Sequence, residues 1–287
     1  MTVNLCAQRH DVGMNNASPR HPFDQALSLT ARADGGFDGH THPAYANMVG
    51  PYGGVTCAVL LQAVLQHPQR LGDPVVLTAN FAAPIAQGPY TVHPRPARTN
   101  RSTQHWVVET VQNGEVVALG TVVTAVRRPT WSRPEARPPA DVPPPQDLPA
   151  LPTQALPPWV SRYDMRSVHN AFPDAFDGEE QPEARSVLWV RDEPPRPLDF
   201  AALASLSDCF LPRIFLRRRQ RALIGTVSLT TYFHADAAAL AAQGEAHLLA
   251  TARGLNYHDG FFDQSGELWS RQGRLLASTH QLVYYKA

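Results

Sequence analysis

Val75-Val76-Leu77-Thr78-Ala79-Asn80-Phe81 returns in the second half of the chain as Val227-Ser228-Leu229-Thr230-Thr231-Tyr232-Phe233. Each of these apolar stretches is followed at a similar distance by a glycine turn, Gln112-Asn113-Gly114 in the first half and Arg271-Gln272-Gly273 in the second. A glycine turn between two apolar stretches is typical of a β-hairpin. The same order of features in both halves predicts one fold that is present twice.

The spacing of apolar residues predicts the same order of elements in both copies: a strand, an apolar helix and then a run of strands. In the first copy we predict strands at 26–31, 75–81, 90–94, 105–112 and 116–126, and a helix at 55–66 that opens at Gly53-Gly54. In the second copy we predict strands at 186–191, 224–234, 246–255, 266–270 and 275–285, and a helix at 199–210 with Asp199 as its N-cap. Both helices are apolar on almost every side, so an antiparallel sheet must wrap each of them. The predicted fold class is α+β, with two tandem hot-dog domains, each an antiparallel sheet wrapped around a central helix.

Between the two copies, proline recurs at almost every third position from 129 to 158. Proline removes backbone N–H donors and favours an extended, stiff chain. We therefore expect an N-terminal hot-dog domain at 1–128, a proline-rich linker at 129–158 and a C-terminal hot-dog domain at 159–287.

The composition indicates which kinds of binding partner and which cellular compartment to expect. The 25 Lys and Arg residues balance the 25 Asp and Glu residues, so the overall charge favours neither nucleic acid nor an anionic membrane. The three cysteines are far apart and lack metal-ligand spacing, which argues against a disulfide framework and fits a reducing compartment. No run approaches the roughly 18 apolar residues of a membrane span. We expect a soluble, cytoplasmic protein.

Three motifs of the second copy follow one another in the order Ser207-Asp208-Cys209-Phe210-Leu211-Pro212, Gly225-Thr226-Val227 and Leu276-Ala277-Ser278-Thr279-His280-Gln281. In order and approximate spacing they resemble the second half of the acyl-CoA thioesterase II family. The resemblance reaches the first copy through Gly53-Gly54, Asn80-Phe81-Ala82-Ala83-Pro84 and Asn100-Arg101-Ser102, so it covers most of the chain outside the linker. It implies hydrolysis of a fatty or related acyl-CoA to free acid and coenzyme A, with coenzyme A entering as part of the substrate and no further cofactor.

Carried over residue by residue, the catalytic residues of that family fall on Asp208, Thr226 and Gln281. In the family an Asp, a Thr and a Gln hold and activate the hydrolytic water. A thioester carbonyl needs an attacking water, a carboxylate that accepts its proton, and neutral groups that fix the water in line. Two simpler interpretations stay open: Asp208 pairs with Arg213 at helix-neighbour spacing, or a shift of two residues moves the hydroxyl role from Thr226 to Ser228.

The repeat supplies an independent comparison of the two halves. When the hairpin glycines are superposed, Gln281 falls opposite Val122, and the strand register puts Thr226 opposite Pro74. The first helix contains no carboxylate. We therefore expect one site per chain, in the second copy, with the first copy forming a wall of the acyl pocket.

Two other groups are candidates for contacts with substrate. Gly53 and Gly54 begin a helix, where backbone N–H groups can stabilise the oxyanion of a thioester, although a tight helix entry explains them equally well. A run of arginines precedes Thr226, and guanidinium groups suit the phosphates of coenzyme A, although a solvated charge run is an equal alternative. These arginines are Arg217, Arg218, Arg219 and Arg221.

The sequence also weighs against other sites and functions. No metal is expected, because His40 and His42 alternate along a strand and face opposite sides. An acyl-CoA hydratase needs a histidine close after its aspartate, and none follows Asp208 before His234. A non-catalytic acyl-CoA-binding protein with the same fold is the remaining alternative. Sheet edges that need covering favour a homodimer.

Overall fold

The computed structural model of the protein describes residues 20–286. Its helices are α1 (Pro22–Ala26), α2 (Gly53–Leu65), α3 (Phe200–Leu206), α4 (Arg213–Arg218) and α5 (Ala237–Gln243). Its strands are β1 (Thr30–Ala31), β2 (Phe37–His40), β3 (Asp73–Phe81), β4 (Pro89–Thr99), β5 (Thr103–Gln112), β6 (Glu115–Ala125), β7 (Tyr163–His169), β8 (Ser186–Asp192), β9 (Leu223–Phe233), β10 (Leu248–Arg253), β11 (Tyr257–His258), β12 (Phe261–Trp269) and β13 (Leu275–Lys286). None of these helices is long and apolar enough to cross a membrane.

The strands form one continuous sheet in which the two halves have the same order. The first half runs β2-β4-β5-β6-β3 and the second runs β8-β10-β12-β13-β9, and they meet where β3 pairs antiparallel with β9. At the junction Thr78 is opposite Thr230, and their Oγ1 atoms are 2.9 Å apart. Because these are equivalent residues of the repeated stretch, a pseudo-twofold axis passes between them. The predicted duplication is confirmed.

The sheet encloses two helices that pack against each other, α2 and α3. Both are buried on nearly all sides, as expected for helices without a polar face. Tyr52, which precedes α2, donates a 2.8 Å hydrogen bond to the carbonyl oxygen of Ser205 in α3, and so links the two copies through their centres. Each copy is a hot-dog fold, in which a sheet wraps one central helix.

The first predicted strand, at 26–31, is wrong over most of its length. Residues Pro22–Ala26 form α1, and only Thr30–Ala31 is extended. Two features favour a helix start here. Pro22 lacks the N–H group that would otherwise have no partner in the first turn, and the His21 ring accepts a hydrogen bond from the N–H of Phe23 at 3.1 Å. Burial of Phe23 then holds this short helix against the core.

The predicted helix at 199–210 starts correctly but ends early. Asp199 caps α3, accepting a 2.8 Å hydrogen bond from the N–H of Ala202. The helix stops at Leu206, because the following N–H groups of Asp208 and Cys209 bond three residues back, to Ser205 and Leu206, instead of four. Asp208 therefore lies in a turn just beyond the helix.

Several other elements were missed or placed too short. Sequence reasoning missed the helices α4 and α5 and the strands β2, β7 and β11, and it started β12 too late. It also ended the strand of β4 at Pro94, whereas the strand continues to Thr99 through Pro94 and Pro96. Strand β2 pairs with β4 only from Pro89 to Val92. Pro94 and Pro96 lie beyond this stretch, so their missing N–H groups cost no hydrogen bond to β2.

The proline-rich segment between β6 and β7 lies along the second copy. The Trp189 indole donates to the carbonyl oxygen of Pro143 at 2.8 Å. Arg166 donates to the carbonyl oxygens of Pro145 and Leu148 at 2.9 and 3.1 Å. Since proline supplies carbonyl acceptors but no N–H donors, side chains of the second copy supply the donors.

Candidate active site

Asp208 lies where the end of α3 meets the start of α2. An added Cβ on Gly53 would lie 2.7 Å from the Asp208 Oδ2 atom, so only glycine leaves room for this carboxylate. The backbone N–H of Gly54 lies close enough to the carboxylate to favour its charged form. Gly54 is itself packed too tightly for a side chain, because a Cβ there would lie 2.3 Å from the carbonyl oxygen of Ser205. The two glycines thus allow the Asp208 carboxylate of the second copy to lie against the start of α2 in the first copy.

Thr226 reaches the inner face of the sheet because of a β-bulge. Along β13, Leu282 is opposite Ser228 but the next residue, Val283, is opposite Thr226, so Val227 is an extra residue. Regular pairing would put Thr226 opposite Tyr284, on the outer face with Leu282. The bulge reverses the alternation, and Thr226 then lies on the same face as Val283 and Gln281.

Gln281 joins the other two members of the trio. Its Nε2 donates to Asp208 Oδ1 at 2.8 Å and to Thr226 Oγ1 at 2.9 Å. Gln281 is opposite Leu229 in β9, and Val122 is opposite Leu77 in β3. Leu229 and Leu77 are equivalent residues of the repeated stretch, so the strand pairing agrees with the superposition of Gln281 on Val122. The structure therefore brings together the three residues that the sequence selects.

Burial raises the pKa of Asp208 to about 7, although the hydrogen bond from Gln281 and the nearby backbone N–H of Gly54 oppose this shift. Desolvation disfavours the charged carboxylate, while both donors favour it, and the desolvation is larger. Asp208 nevertheless keeps part of its surface accessible to solvent. A carboxyl group with a pKa near neutrality is suited to take a proton from water.

Asp208→Asn is expected to stabilise the protein near neutral pH. The unfolded carboxyl titrates at a pKa of about 3.9, whereas the folded one titrates at about 7. The folded state therefore retains the proton between these values, so wild-type stability is highest below the lower pKa and declines as the pH rises through the higher one. Asparagine has no such titration.

Chemical denaturation of both proteins at about pH 5 and about pH 8 tests this expectation. The advantage of the variant should grow with pH up to about 7, by at most about 1.4 kcal/mol per pH unit. A difference in free energy of unfolding that does not change with pH would contradict the raised pKa.

Arg213 does not pair with Asp208, in contrast to the simpler interpretation of that residue. Its Nε donates to Gln264 Oε1 at 2.9 Å, and Gln264 Nε2 donates to Gln281 Oε1 at 2.8 Å. Two amides therefore separate the guanidinium from the carboxylate. Sequence reasoning missed Gln264, although the repeat held a signal: Gln264 is opposite Gln281, whereas the equivalent pair in the first copy is Trp106 opposite Val122.

The Gly53-Gly54 helix start lies against Asp208. Gly53 leaves room for the carboxylate, and the backbone N–H of Gly54 favours its charged form. A contact of Gly53 or Gly54 with a substrate oxyanion stays a prediction.

The four arginines have unequal surroundings. Arg217 and Arg219 form salt bridges with Glu180 and Asp177, at 2.6 and 2.9 Å. The Arg221 guanidinium lies 4.9 Å from the centroid of the Phe176 ring. Arg218 is exposed, and among residues 20–286 no acidic group lies within salt-bridge distance of it. The run is thus partly engaged in holding the loop before β8.

A small cavity lies beside α2 in the first copy, away from the trio. It is lined by Val55, Thr56 and Val59 of the helix and by Tyr45, Tyr90 and Thr110 among others, and Asp208 does not line it. A second, more open cavity borders the proline-rich segment, near Leu151 and Asp164, and also excludes the trio. The candidate site is defined by the hydrogen bonds that join Asp208, Gln281 and Thr226, and neither cavity includes these residues.

Comparison with known protein families matches each half of the chain to a domain model. Residues 42–125 match the acyl-CoA thioesterase N-terminal domain, and residues 134–285 match the acyl-CoA thioesterase C-terminal domain. None of the curated proteins compared with the chain matches it.

Solved structures agree with this assignment. A conserved protein of unknown function with a hot-dog fold from Alicyclobacillus acidocaldarius is 46% identical, with a TM-score of 0.87 over 93% of this chain and 98% of that one. Acyl-CoA thioesterase II TesB2 from Mycobacterium marinum is 20% identical, with a TM-score of 0.73 over 92% of this chain and 98% of that one. The tesB protein from Mycobacterium avium subs paratuberculosis is 19% identical, with a TM-score of 0.74 over 93% and 100%. The last two likenesses bear on the fold alone, but the domain matches span both copies in order, and the chain therefore belongs to the acyl-CoA thioesterase family.

Proposed function

We propose that this protein hydrolyses a fatty or related acyl-CoA to the free acid and coenzyme A by direct attack of water, with Asp208 as the general base. The observation that carries the proposal is the trio itself, because Gln281 Nε2 donates to both Asp208 and Thr226. Membership of the family supplies the substrate class.

The hydrogen bonds divide the roles among the three residues. Gln281 donates to the Thr226 oxygen, which leaves the Thr226 O–H free to donate to the oxygen of a water molecule. Gln281 occupies Asp208 Oδ1, which leaves Oδ2 as the acceptor for a proton of that water. Thr226 and Gln281 thus position the water and the base.

The proposed reaction needs no covalent intermediate. The water oxygen adds to the thioester carbonyl carbon while its proton passes to Asp208. The tetrahedral intermediate then expels the sulfur as the C–S bond breaks, and the proton held by Asp208 neutralises the leaving thiolate. This proton transfer regenerates the Asp208 carboxylate. The products are the carboxylic acid, which loses its proton to solvent, and coenzyme A.

Release of free thiol from a panel of acyl-CoAs, short, long and aromatic, tests the proposed activity. Turnover of at least one substrate is expected, with kcat/KM rising with pH up to about 7 as Asp208 ionises. Saturable acyl-CoA binding without any thiol release would instead identify a non-catalytic binding protein.

Thr226→Val and Ser228→Ala separate the two candidate hydroxyls. We expect Thr226→Val to lower kcat by about tenfold, because it removes one hydrogen bond to the reacting water. Ser228→Ala should leave kcat unchanged, since Ser228 is opposite Leu282 on the other face of the sheet. Steady-state kinetics of both variants measures the difference. The reverse pattern would show that the bulge does not set the register of the site.

The coenzyme A part of the substrate needs its own binding residues, and the sheet edges need a partner. We propose that Arg218 and Arg221, which are both exposed, contact the phosphates of coenzyme A. We also propose that the functional units are 1–128 and 159–287, that the protein is a cytoplasmic homodimer, and that it needs no cofactor beyond its substrate. The terminal strands β1 and β7 have open edges that a second copy is suited to cover.

A further inference from the structure

Arg213 is a fully buried guanidinium without a carboxylate partner. Its side chain has no exposed surface, and no acidic group within residues 20–286 lies at salt-bridge distance from it. It donates instead to neutral acceptors: the carbonyl oxygen of Ala184 at 2.8 Å, Ser186 Oγ at 2.7 Å and Gln264 Oε1 at 2.9 Å. Burying an unpaired charge costs stability, so its presence beside the site calls for a role.

The chemistry of arginine sets the direction of every bond between it and Asp208. A guanidinium only donates, so the oxygen of the Gln264 amide must face Arg213 and its NH2 group must face away. That NH2 group donates to Gln281 Oε1 at 2.8 Å, so the Gln281 NH2 group must face the other way, toward Asp208 and Thr226. The orientation of both amides follows from one cation.

We propose that Arg213, acting through Gln264, is a positioning residue that holds the Gln281 amide with its NH2 group toward Asp208 and Thr226. Its effect on turnover rests on the proposed thioesterase activity, whereas the amide orientation does not. Without this constraint the Gln281 amide can rotate by about half a turn, which exchanges the positions of its oxygen and its NH2 group. The oxygen then faces the Asp208 carboxylate, and the hydrogen bonds to Asp208 and Thr226 are lost.

The first copy supports a functional origin for this chain of contacts. At the positions equivalent to Gln264 and Gln281 it has Trp106 and Val122, an apolar pair with almost no exposed surface. The fold therefore does not need polar groups at these two places. The glutamines occur only in the copy that contains Asp208.

Gln264→Glu is the most informative variant. A glutamate keeps the acceptor for Arg213 and forms an ion pair with it, so the fold should remain stable. However, it cannot donate to Gln281 Oε1, and it attracts the Gln281 NH2 group away from Asp208. We expect kcat to fall by about 10-fold to 100-fold with little change in KM, and the pH at half-maximal kcat/KM to rise because Asp208 loses a donor.

Gln112→Glu is the matched control. Gln112 is also a buried strand glutamine, and its NH2 group donates to the carbonyl oxygens of Ala86 and Pro89 in the first copy. Its loss should lower the melting temperature without changing the pH profile. If Gln264→Glu does not fold, Gln264→Met serves in its place, since it also removes the donor while filling the space.

Two measurements decide the outcome. In a double-mutant cycle, Gln264→Glu should have no further effect on kcat in a Gln281→Val background. Separately, the side-chain NH2 resonances of Gln281 should respond to titration of Asp208 in the wild type and lose that response in Gln264→Glu. Wild-type kcat in a folded Gln264→Glu protein would overturn the proposal.

The two proposals can fail separately. If the wild type hydrolyses no acyl-CoA, the thioesterase function fails, and the NH2 resonances still test the orientation. A Gln281 response that is unchanged in Gln264→Glu would overturn the positioning role, and a response that is lost would support it.

Discussion

Asp208→Asn is expected to lower kcat for acyl-CoA hydrolysis by about 10²-fold to 10⁴-fold, which is the usual contribution of a positioned general base. Asparagine keeps the shape of the side chain and an oxygen that can accept from Gln281. It lacks a second acceptor for the water proton. Saturable acyl-CoA binding should remain, because the change removes a proton acceptor and not a wall of the site.

Asp192→Asn is the matched control for this variant. Asp192 is also a buried aspartate, 3% exposed, and burial raises its pKa to about 7 as well. It lies at the end of β8, near Arg196 and Asp199 at the opposite end of α3 from Asp208. Thiol release should be lost in Asp208→Asn and kept in Asp192→Asn. Equal losses in both would indicate that fold damage, and not a missing base, explains the result.

Gln281→Val is expected to lower kcat by about 10²-fold to 10³-fold, the range found when one preorganised donor is removed. Valine is the residue that the first copy has at this position, so the sheet accommodates it. Both the bond to Asp208 and the bond to Thr226 disappear together, and the trio loses its common partner. The loss should be in kcat more than in KM, because water and base are misplaced while the acyl pocket persists.

Thr279→Val provides the comparison on the same strand and face. Thr279 is 5% exposed, and its hydroxyl has no hydrogen-bond partner among the described residues. Removing that hydroxyl should leave kcat unchanged and should not destabilise the fold. If Thr279→Val loses as much activity as Gln281→Val, the effect of the latter does not come from its contacts with Asp208 and Thr226.

Much of the fold could be predicted because the chain repeats its pattern. The stretch at β3 recurs in β9, and equivalent residues Thr78 and Thr230 meet at the junction, so the symmetry of the sequence is also the symmetry of the sheet. The apolar character of α2 predicted that it is enclosed. The missed elements depend on local capping, as at α1, or on strand neighbours, as at β4, where prolines are tolerated on an uncovered stretch.

The candidate site was predictable to a similar degree. The motifs around Asp208, Thr226 and Gln281 and the apolar residues at the matching places of the first copy pointed to one group of residues in the second half. Sequence reasoning did not find Gln264, and it left open a direct pair of Arg213 with Asp208. Gln264 was missed because contacts across β12 and β13 depend on strand register, which residue spacing does not reveal.

The sequence by itself determined the duplication, the family and the identity of the three residues, because repeated patterns and residue types are properties of the chain alone. Only the tertiary structure decided that Thr226 faces inward, through an extra residue at Val227. It also decided that the glycines at the start of α2 lie against the Asp208 carboxylate and that a buried Arg213 orients two amides. The physical reason is that the direction of a hydrogen bond and the degree of desolvation depend on which residues surround a group, and those neighbours come from distant parts of the chain.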